Sequence, residues 1–272
     1  MDVKGKKAIV FGGTSGIGLA TTRQLAALGA SVVAVSRDPK KAGDPPAGVT
    51  LAKCDVLDRV AMEAFFKEHE PFDILISAAT GGPRAIGPFL GMDMDGYKAS
   101  FDKLWGYANV VRYGTNHLSR DGTIVLVSGA PARKSKPGQV SLSSVGASVE
   151  ALVRAVAPEI APRRINVVSP GSIDTPIVAL KGTERETLYK NVTAKNLIPR
   201  AGKAEEVAQG IVFLVQNGSW CRTILLPAPR SISMAAGCSR SGAPTDRSSA
   251  LRRRLPVGIE PFTAKGVSVD VR

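Results

Sequence analysis

The sequence predicts an α/β protein built on a doubly wound parallel sheet with helices on both faces. Three observations carry this. Apolar runs of strand length alternate with segments of helical apolar spacing from residue 7 to about residue 218. The strand runs are nearly continuous in apolar character, as strands buried on both faces are. The first run ends in a glycine-rich turn that leads straight into a helical pattern.

The elements follow in order. KAIVF (7–11) is a strand that stops at glycines, and LATTRQLAALG (19–29) is a helix with Gly29 suited to its C-cap. SVVAVSR (31–37) is a strand rich in β-branched residues. VAMEAFFKEHE (60–70) reads as a helix and FDILISAA (72–79) as a strand. Residues 95–118 form one long helical region, followed by the strand GTIVLVS (122–128) and a helix over 139–161. RINVVSPG (164–171) is a strand entering a loop, and EEVAQGIVFLVQNG (205–218) is a helix with a glycine stop. There is no internal repeat.

The turn GGTSGIG (12–18) sits between strand and helix. Glycines there let main-chain N–H groups approach a pyrophosphate, and the helix start adds its partial positive charge. In this context the turn predicts a Rossmann-like dinucleotide site made by Gly12, Thr14, Ser15, Gly16, Ile17 and Gly18. The second strand ends at Ser36-Arg37. A carboxylate there would hold a ribose 2′-hydroxyl, whereas the forked cation of Arg37 suits a 2′-phosphate. The expected cofactor is therefore NADP(H) in preference to NAD(H).

These motifs together resemble the short-chain dehydrogenase/reductase family, in particular its β-ketoacyl carrier-protein reductase-like branch, over residues 5–218. The family's TGxxxGxG appears as FGGTSGIG with Phe11 in place of threonine, and its adenine-contacting Asp-Val as Asp55-Val56. Its NNAG run reads Ser77-Ala78-Ala79-Thr80, so the resemblance adds Ala78, Ala79 and Thr80 to the cofactor contacts. Its PGxIxT loop is Pro170-Gly171-Ser172-Ile173-Asp174-Thr175, which implies that Pro170, Gly171, Ile173 and Thr175 cover the nicotinamide. Its R-x-G-x-x-E-E helix entry is RAGKAEE (200–206).

The same resemblance exposes a gap. The family uses Asn, Ser, Tyr and Lys for proton transfer. Here the Tyr position is Leu142 and the Lys position, four residues on, is Gly146. The Ser position is Gly129, with Ser128 beside it, and the Asn position is Lys103. A hydride donor can still act without a general acid, whose contribution is typically ~10²–10⁴-fold. Ser128 is one candidate to polarise a carbonyl. Lys103 is another, as an acid of lowered pKa if it faces the site, although a lysine on a helix more commonly faces solvent. Ser141, Ser143 and Ser144 flank Leu142, but unperturbed hydroxyls are poor acids. His69 and His117 are read as lying away from the site.

Two function classes follow: an atypical reductase moving hydride to a carbonyl or activated enone, and an NADP(H)-binding protein without turnover, such as a redox sensor or partner subunit. The substrate is expected to be a small-molecule or thioester-linked carbonyl compound, and Lys181, Arg185 and Lys190 in the lid segment 177–197 could greet an anionic one. The net charge of +13 does not imply nucleic acid, since the arginine-rich tail lacks interleaved aromatics. No apolar run approaches the ~20 residues of a membrane span, and the N-terminus lacks the apolar stretch of a signal peptide, so neither a nucleic-acid nor a membrane partner is expected and the chain is read as cytoplasmic. Cys54, Cys221 and Cys238 have no metal-ligand spacing, and no metal site is expected.

A composition break at about residue 218 divides the chain into a dinucleotide-binding domain, 1–218, and a tail, 219–272. The tail has nine basic and three acidic residues, hence +6, and residues 1–218 hold the other +7. Eight of those nine tail cations are arginine. The family's closing strand and D-G-G segment are missing, which puts its common tetramer in doubt while leaving a homo-oligomer open. If Ser231–Cys238 are encoded TCG ATC TCG ATG GCG GCC GGC TGC, reading one base earlier after a T gives Phe-Asp-Leu-Asp-Gly-Gly-Arg-Leu, which restores the ending. A frameshifted tail and a genuine basic extension are the two readings; in either, TILL (223–226) offers a last strand.

Overall fold

The computed structural model describes residues 1–219, 221, 224 and 225. The elements are β1 (Lys7–Phe11), α1 (Gly16–Ala27), β2 (Ser31–Ser36), β3 (Val49–Lys53), α2 (Arg59–His69), β4 (Phe72–Ser77), α3 (Met94–Ala99), α4 (Asp102–Gly114), β5 (Leu118–Val127), α5 (Val140–Ile160), β6 (Arg164–Val168), β7 (Ile173–Asp174), α6 (Gly182–Thr193), β8 (Gly202–Lys203), α7 (Ala204–Gln216) and β9 (Ile224–Leu225). Among the described residues the main sheet has seven strands in the order β3-β2-β1-β4-β5-β6-β9, with every pair parallel. The order reverses between β1 and β4, and ligands of such sheets bind beyond the carboxyl ends of the strands at that switch.

Alternation along each strand feeds two cores. Ile9 and Phe11 of β1 join Phe66, Leu75, Val110, Val149 and Val153 under α2, α4 and α5. Ala8 and Val10 point the other way and join Leu25, Ile74, Ile76, Ile211 and Leu214 under α1 and α7. Both faces of β1 are thus dry, which accounts for its unbroken apolar run.

Three differences from the sequence reading have physical causes. The strand β3 has the burial pattern of a half-covered edge, with Thr50 and Lys53 exposed, and its mixed composition gave no apolar run. The helical stretch 95–118 is two helices, α3 and α4, followed by a short 3₁₀ turn over Thr115–His117. Ser100 marks the break: its Oγ donates to Gly96 O and accepts from Ala85 N, anchoring the helix end to the loop after β4. Third, β5 begins at Leu118 rather than 122. Among the described residues α5 is long and apolar enough to cross a membrane by composition. Here Val145, Val149, Val153 and Ala157 are buried in the fold, so this apolarity belongs to the core. The two residues of β9 lie within TILL and pair with Val167 and Val168 of β6. The remaining readings of the tail fall on residues outside those described.

Candidate functional site

Main-chain contacts join the glycine turn to the ends of β2 and β4, and the Thr175 side chain of the loop after β6 lies beside Gly16. The Gly12 N–H donates to Val35 O of β2 at 2.8 Å, and the Ala78 N–H to Phe11 O at 2.9 Å. A Cβ on Gly12 would lie 2.8 Å from Ala79 N, and one on Gly18 would lie 2.0 Å from Gly12 O. No side chain fits at either position, so the turn brings bare backbone to the surface of the cradle. Gly16 has a φ of +50° and faces Thr175, whose Cβ would sit 3.4 Å from an added methyl. Helix α1 starts here with no acidic residue in its first turn and no side-chain cap from Ser15. Its first N–H groups are therefore left for an outside anion, as phosphate binding at a helix start requires.

The other expected cofactor residues line the same strand ends. Ser36 closes β2 with its Oγ shielded from solvent and unpartnered, and Arg37 follows it exposed. Asp55 and Val56 follow β3; an Asp55 oxygen accepts from Leu57 N at 3.0 Å, and Val56 O accepts from Asn109 Nδ2 at 2.8 Å. Ala78, Ala79 and Thr80 are half-buried beyond β4, where Ser77 Oγ is a second buried hydroxyl without a partner. Pro170 is buried and its carbonyl accepts from Ala130 N at 2.8 Å, while Gly171 is exposed. Ile173 and Thr175 lie half-buried beyond, and Thr14 and Ile17 are half-buried in the glycine turn. A backbone cradle, a free helix start and two orphaned hydroxyls fit a dinucleotide phosphate backbone and its ribose substituents.

The two candidate acids meet. Lys103 Nζ donates to the main-chain oxygen of Ser128 at 3.3 Å and lies 5.4 Å from the centroid of the Tyr107 ring. The solvent-facing reading of Lys103 is thereby corrected: α4 crosses the end of β5 and lays the lysine along it, so that only part of its surface stays exposed. Tyr107, one turn on, donates to Val127 O at 2.9 Å, and burial holds its phenol proton well above the usual range. Burial of the ammonium, then the charge of Arg84, pull the Lys103 pKa down to about 7. Among the described residues no carboxylate pairs with Lys103. The hydroxyl of Ser128 is buried and donates to Gly146 O at 2.9 Å, so its proton is already engaged.

The face of α5 that carries Leu142 and Gly146 continues one turn later to Glu150. A Cβ on Gly146 would lie 3.0 Å from Ala132 Cβ and 3.2 Å from Ser128 Oγ. The turn Ala130–Ala132 therefore sits directly on the helix where the family's lysine would leave it. Glu150 is 4% exposed. One of its oxygens accepts from Arg133 Nε at 2.9 Å and the other from Ser169 Oγ at 2.8 Å. Sequence reading passed over Glu150 because a lone charge in an apolar helix looks like a solvated position. Its spacing of four from Gly146 was the available signal.

Two of the three flanking serines are engaged. Ser141 donates to Ala85 O, and Ser144 Oγ accepts from the Tyr97 hydroxyl at 3.1 Å. His117 meets Glu70 and stacks on Phe66 at 6.3 Å, at the amino end of β5 and so away from the site. His69 packs edge-on against Phe65. Arg185 does not reach outward for an anion: its guanidinium bonds Asp174 and main-chain oxygens of its own loop. Among the described residues no cluster of His, Cys, Asp and Glu is arranged to hold a metal ion.

A family model described as Enoyl-(Acyl carrier protein) reductase matches residues 12–223. A 3-oxoacyl-[acyl-carrier-protein] reductase of Thermotoga maritima is 32% identical over 237 residues, covering 80% of this chain and 94% of the relative. Carbonyl reductase family member 4 of Xenopus tropicalis is 32% identical over 227 residues, covering 78% and 92%. A solved structure of a short chain dehydrogenase/reductase family protein superposes with a TM-score of 0.72 at 30% identity, covering 83% of this chain and 97% of the other.

Proposed function

The chain belongs to the short-chain dehydrogenase/reductase family of oxidoreductases, and from that premise we propose that it is an atypical NADP(H)-dependent member in which Lys103 delivers the proton. The reaction is hydride transfer to the carbonyl, or the activated enone, of a small or thioester-linked substrate. When bound, the dinucleotide supplies the hydride. The chain supplies the rest. Gly12, Gly16, Gly18 and the start of α1 hold the phosphates. Arg37 and Ser36 receive the 2′-phosphate, Asp55 and Val56 the adenine, and Ala78, Ala79 and Thr80 the passage between. Pro170, Gly171, Ile173 and Thr175 close over the nicotinamide end.

The observation that carries the reading is the Lys103 ammonium, seated on Ser128 O at the carboxyl end of β5 with no carboxylate partner among the described residues. It is a proton donor in place of the missing phenol, with its pKa brought to about 7. General acids work best with a pKa near the working pH. Ser128 is assigned the lesser part of fixing the Lys103 carbonyl contact and the edge of Gly146. The test is NADPH oxidation with a panel of aldehydes, ketones and enoyl thioesters, using wild type, Lys103→Met and Ser128→Ala. Turnover that Lys103→Met abolishes supports the assignment; turnover that survives it removes Lys103 from the chemistry.

One observation favours a second reading, an NADP(H)-binding protein without turnover. Leu142 and Gly146 leave α5 without an acid, and the turn at Ala132 fills the space beside Gly146. NADPH binding with no turnover on the whole panel would select it. The division at about residue 218 and a homo-oligomer short of the family's tetramer belong to the same proposal, to be tested by limited proteolysis and by solution mass measurement.

A further inference from the structure

We infer that Arg185 is a positioning residue for the dinucleotide: it latches the segment 173–180 against the glycine turn and so sets how long the cofactor stays bound. This rests on the cofactor reading given above. Arg185 projects from the first turn of α6 and gathers four acceptors from one short stretch of chain. Its Nε donates to Asp174 Oδ1 at 2.8 Å, and Nη2 donates to the same carboxylate and to Thr175 O at 2.8 Å. Its Nη1 donates to Val178 O and, at 3.1 Å, to Leu180 O. The guanidinium lies 5.4 Å from the centroid of Tyr189, whose hydroxyl donates to Ile173 O at 3.1 Å.

The two halves of this stretch are held differently. Residues 170–174 have supports of their own: Pro170 O accepts from Ala130 N, Ser172 O accepts from Gly202 N, and β7 pairs with β8. Beyond Asp174, residues Pro176, Ile177, Ala179 and Leu180 are exposed, and the internal main-chain support among the described residues is the Val178 N–H donating to Thr175 O at 3.2 Å. Arg185 supplies most of the remaining order. Thr175, which it holds by the carbonyl, is the residue facing Gly16 across the cradle. A fork of planar donors can span these acceptors; a lysine ammonium cannot. Three of the four acceptors are main-chain oxygens, so the latch depends on the shape of the guanidinium more than on the Asp174 charge.

The experiment uses the full chain, with NADPH as the probe. Stopped-flow release of NADPH and amide hydrogen exchange over 175–181 are measured for wild type, Arg185→Gln, Arg185→Lys and Asp174→Asn. Arg185→Gln is expected to speed release about tenfold, the equivalent of one or two hydrogen bonds, and to raise exchange in 175–181 with and without NADPH. Arg185→Lys should behave as Arg185→Gln, and Asp174→Asn should show a smaller effect. If Arg185 merely attracts the cofactor's phosphates, Arg185→Lys restores wild-type release and Asp174→Asn slows it, and the latch is overturned. Release and exchange unchanged within about twofold in Arg185→Gln overturn it as well. Wild-type protein that binds no NADPH defeats the cofactor reading and the residence-time role together, whereas normal wild-type binding with an indifferent Arg185→Gln defeats the latch alone.

Discussion

Lys103 and Tyr107, one turn apart on α4, cap consecutive carbonyls at the end of β5: the ammonium takes Ser128 O and the phenol takes Val127 O. The tyrosine is locked and the lysine is the group free to change its protonation. Because the folded pKa of Lys103 is about 7, against 10.5 for an unhindered lysine, the unfolded chain binds more protons between these values. Stability contributed at this site therefore rises with pH from about 7 to 10.5. Lys103→Met should melt higher than wild type at pH 7, with the gap closing as pH approaches 10.5, as read by thermal denaturation at several pH values. In the reduction direction turnover should fall as pH rises through about 7, where the proton is lost. A flat profile across that range would assign the proton to solvent.

Gly146 is constrained by its neighbours. Gly146→Ala places its methyl 3.0 Å from Ala132 Cβ and should destabilise by about 1–3 kcal/mol, as overpacking does. Gly146→Lys combined with Leu142→Tyr should not raise activity unless the turn Ala130–Ala132 gives way, because the first carbon of the new side chain already meets Ala132 Cβ at 3.0 Å. Urea denaturation with the same carbonyl panel reads both results.

Glu150 joins α5 to the turn after β5 and to the end of β6 through Arg133 and Ser169. Glu150→Ala should cost about 2–4 kcal/mol, since it strips two donors of their acceptor within a packed site, although part of Arg133 is already in solvent. Glu150→Gln, which keeps one acceptor oxygen, should cost less. Denaturant midpoints give the comparison, and equal midpoints for wild type and Glu150→Ala would show that the cluster contributes nothing.

Arg37 is exposed beside the unpartnered Ser36 hydroxyl. Arg37→Ala should weaken NADPH binding by about tenfold or more and leave NADH binding within about twofold, since a charge-assisted hydrogen bond contributes about 1.5–3 kcal/mol. Fluorescence titration with both cofactors measures it. An equal loss for both would mean that Arg37 holds the loop and not the 2′-phosphate.

Most of the fold was legible because β1, β2, β4, β5 and β6 are buried on both faces, and that condition writes itself as an unbroken apolar run. The strand β3 was not, because an edge strand with Thr50 and Lys53 in solvent has no such run. The cradle was legible because glycine is demanded there by contacts closer than any Cβ allows. The inward placement of Lys103, Glu150 and Arg185 was not, although Lys103 was already named as a candidate acid should it face the site. Each is a charged residue on a helix, and from spacing alone such residues read as solvated. Only the crossing of α4 over β5, the closure of the turn on α5 and the fold-back of α6 over its own entry loop turn these charges inward.

The contact between Ala132 and Gly146 also sets what position 146 can hold. Any residue larger than glycine there meets the Ala132 methyl at its first carbon, so the turn after β5 must give way by a few tenths of an ångström to seat it. The room for a side chain at this position is thus decided by the yield of a three-residue turn on another element, and not by the helix that carries it.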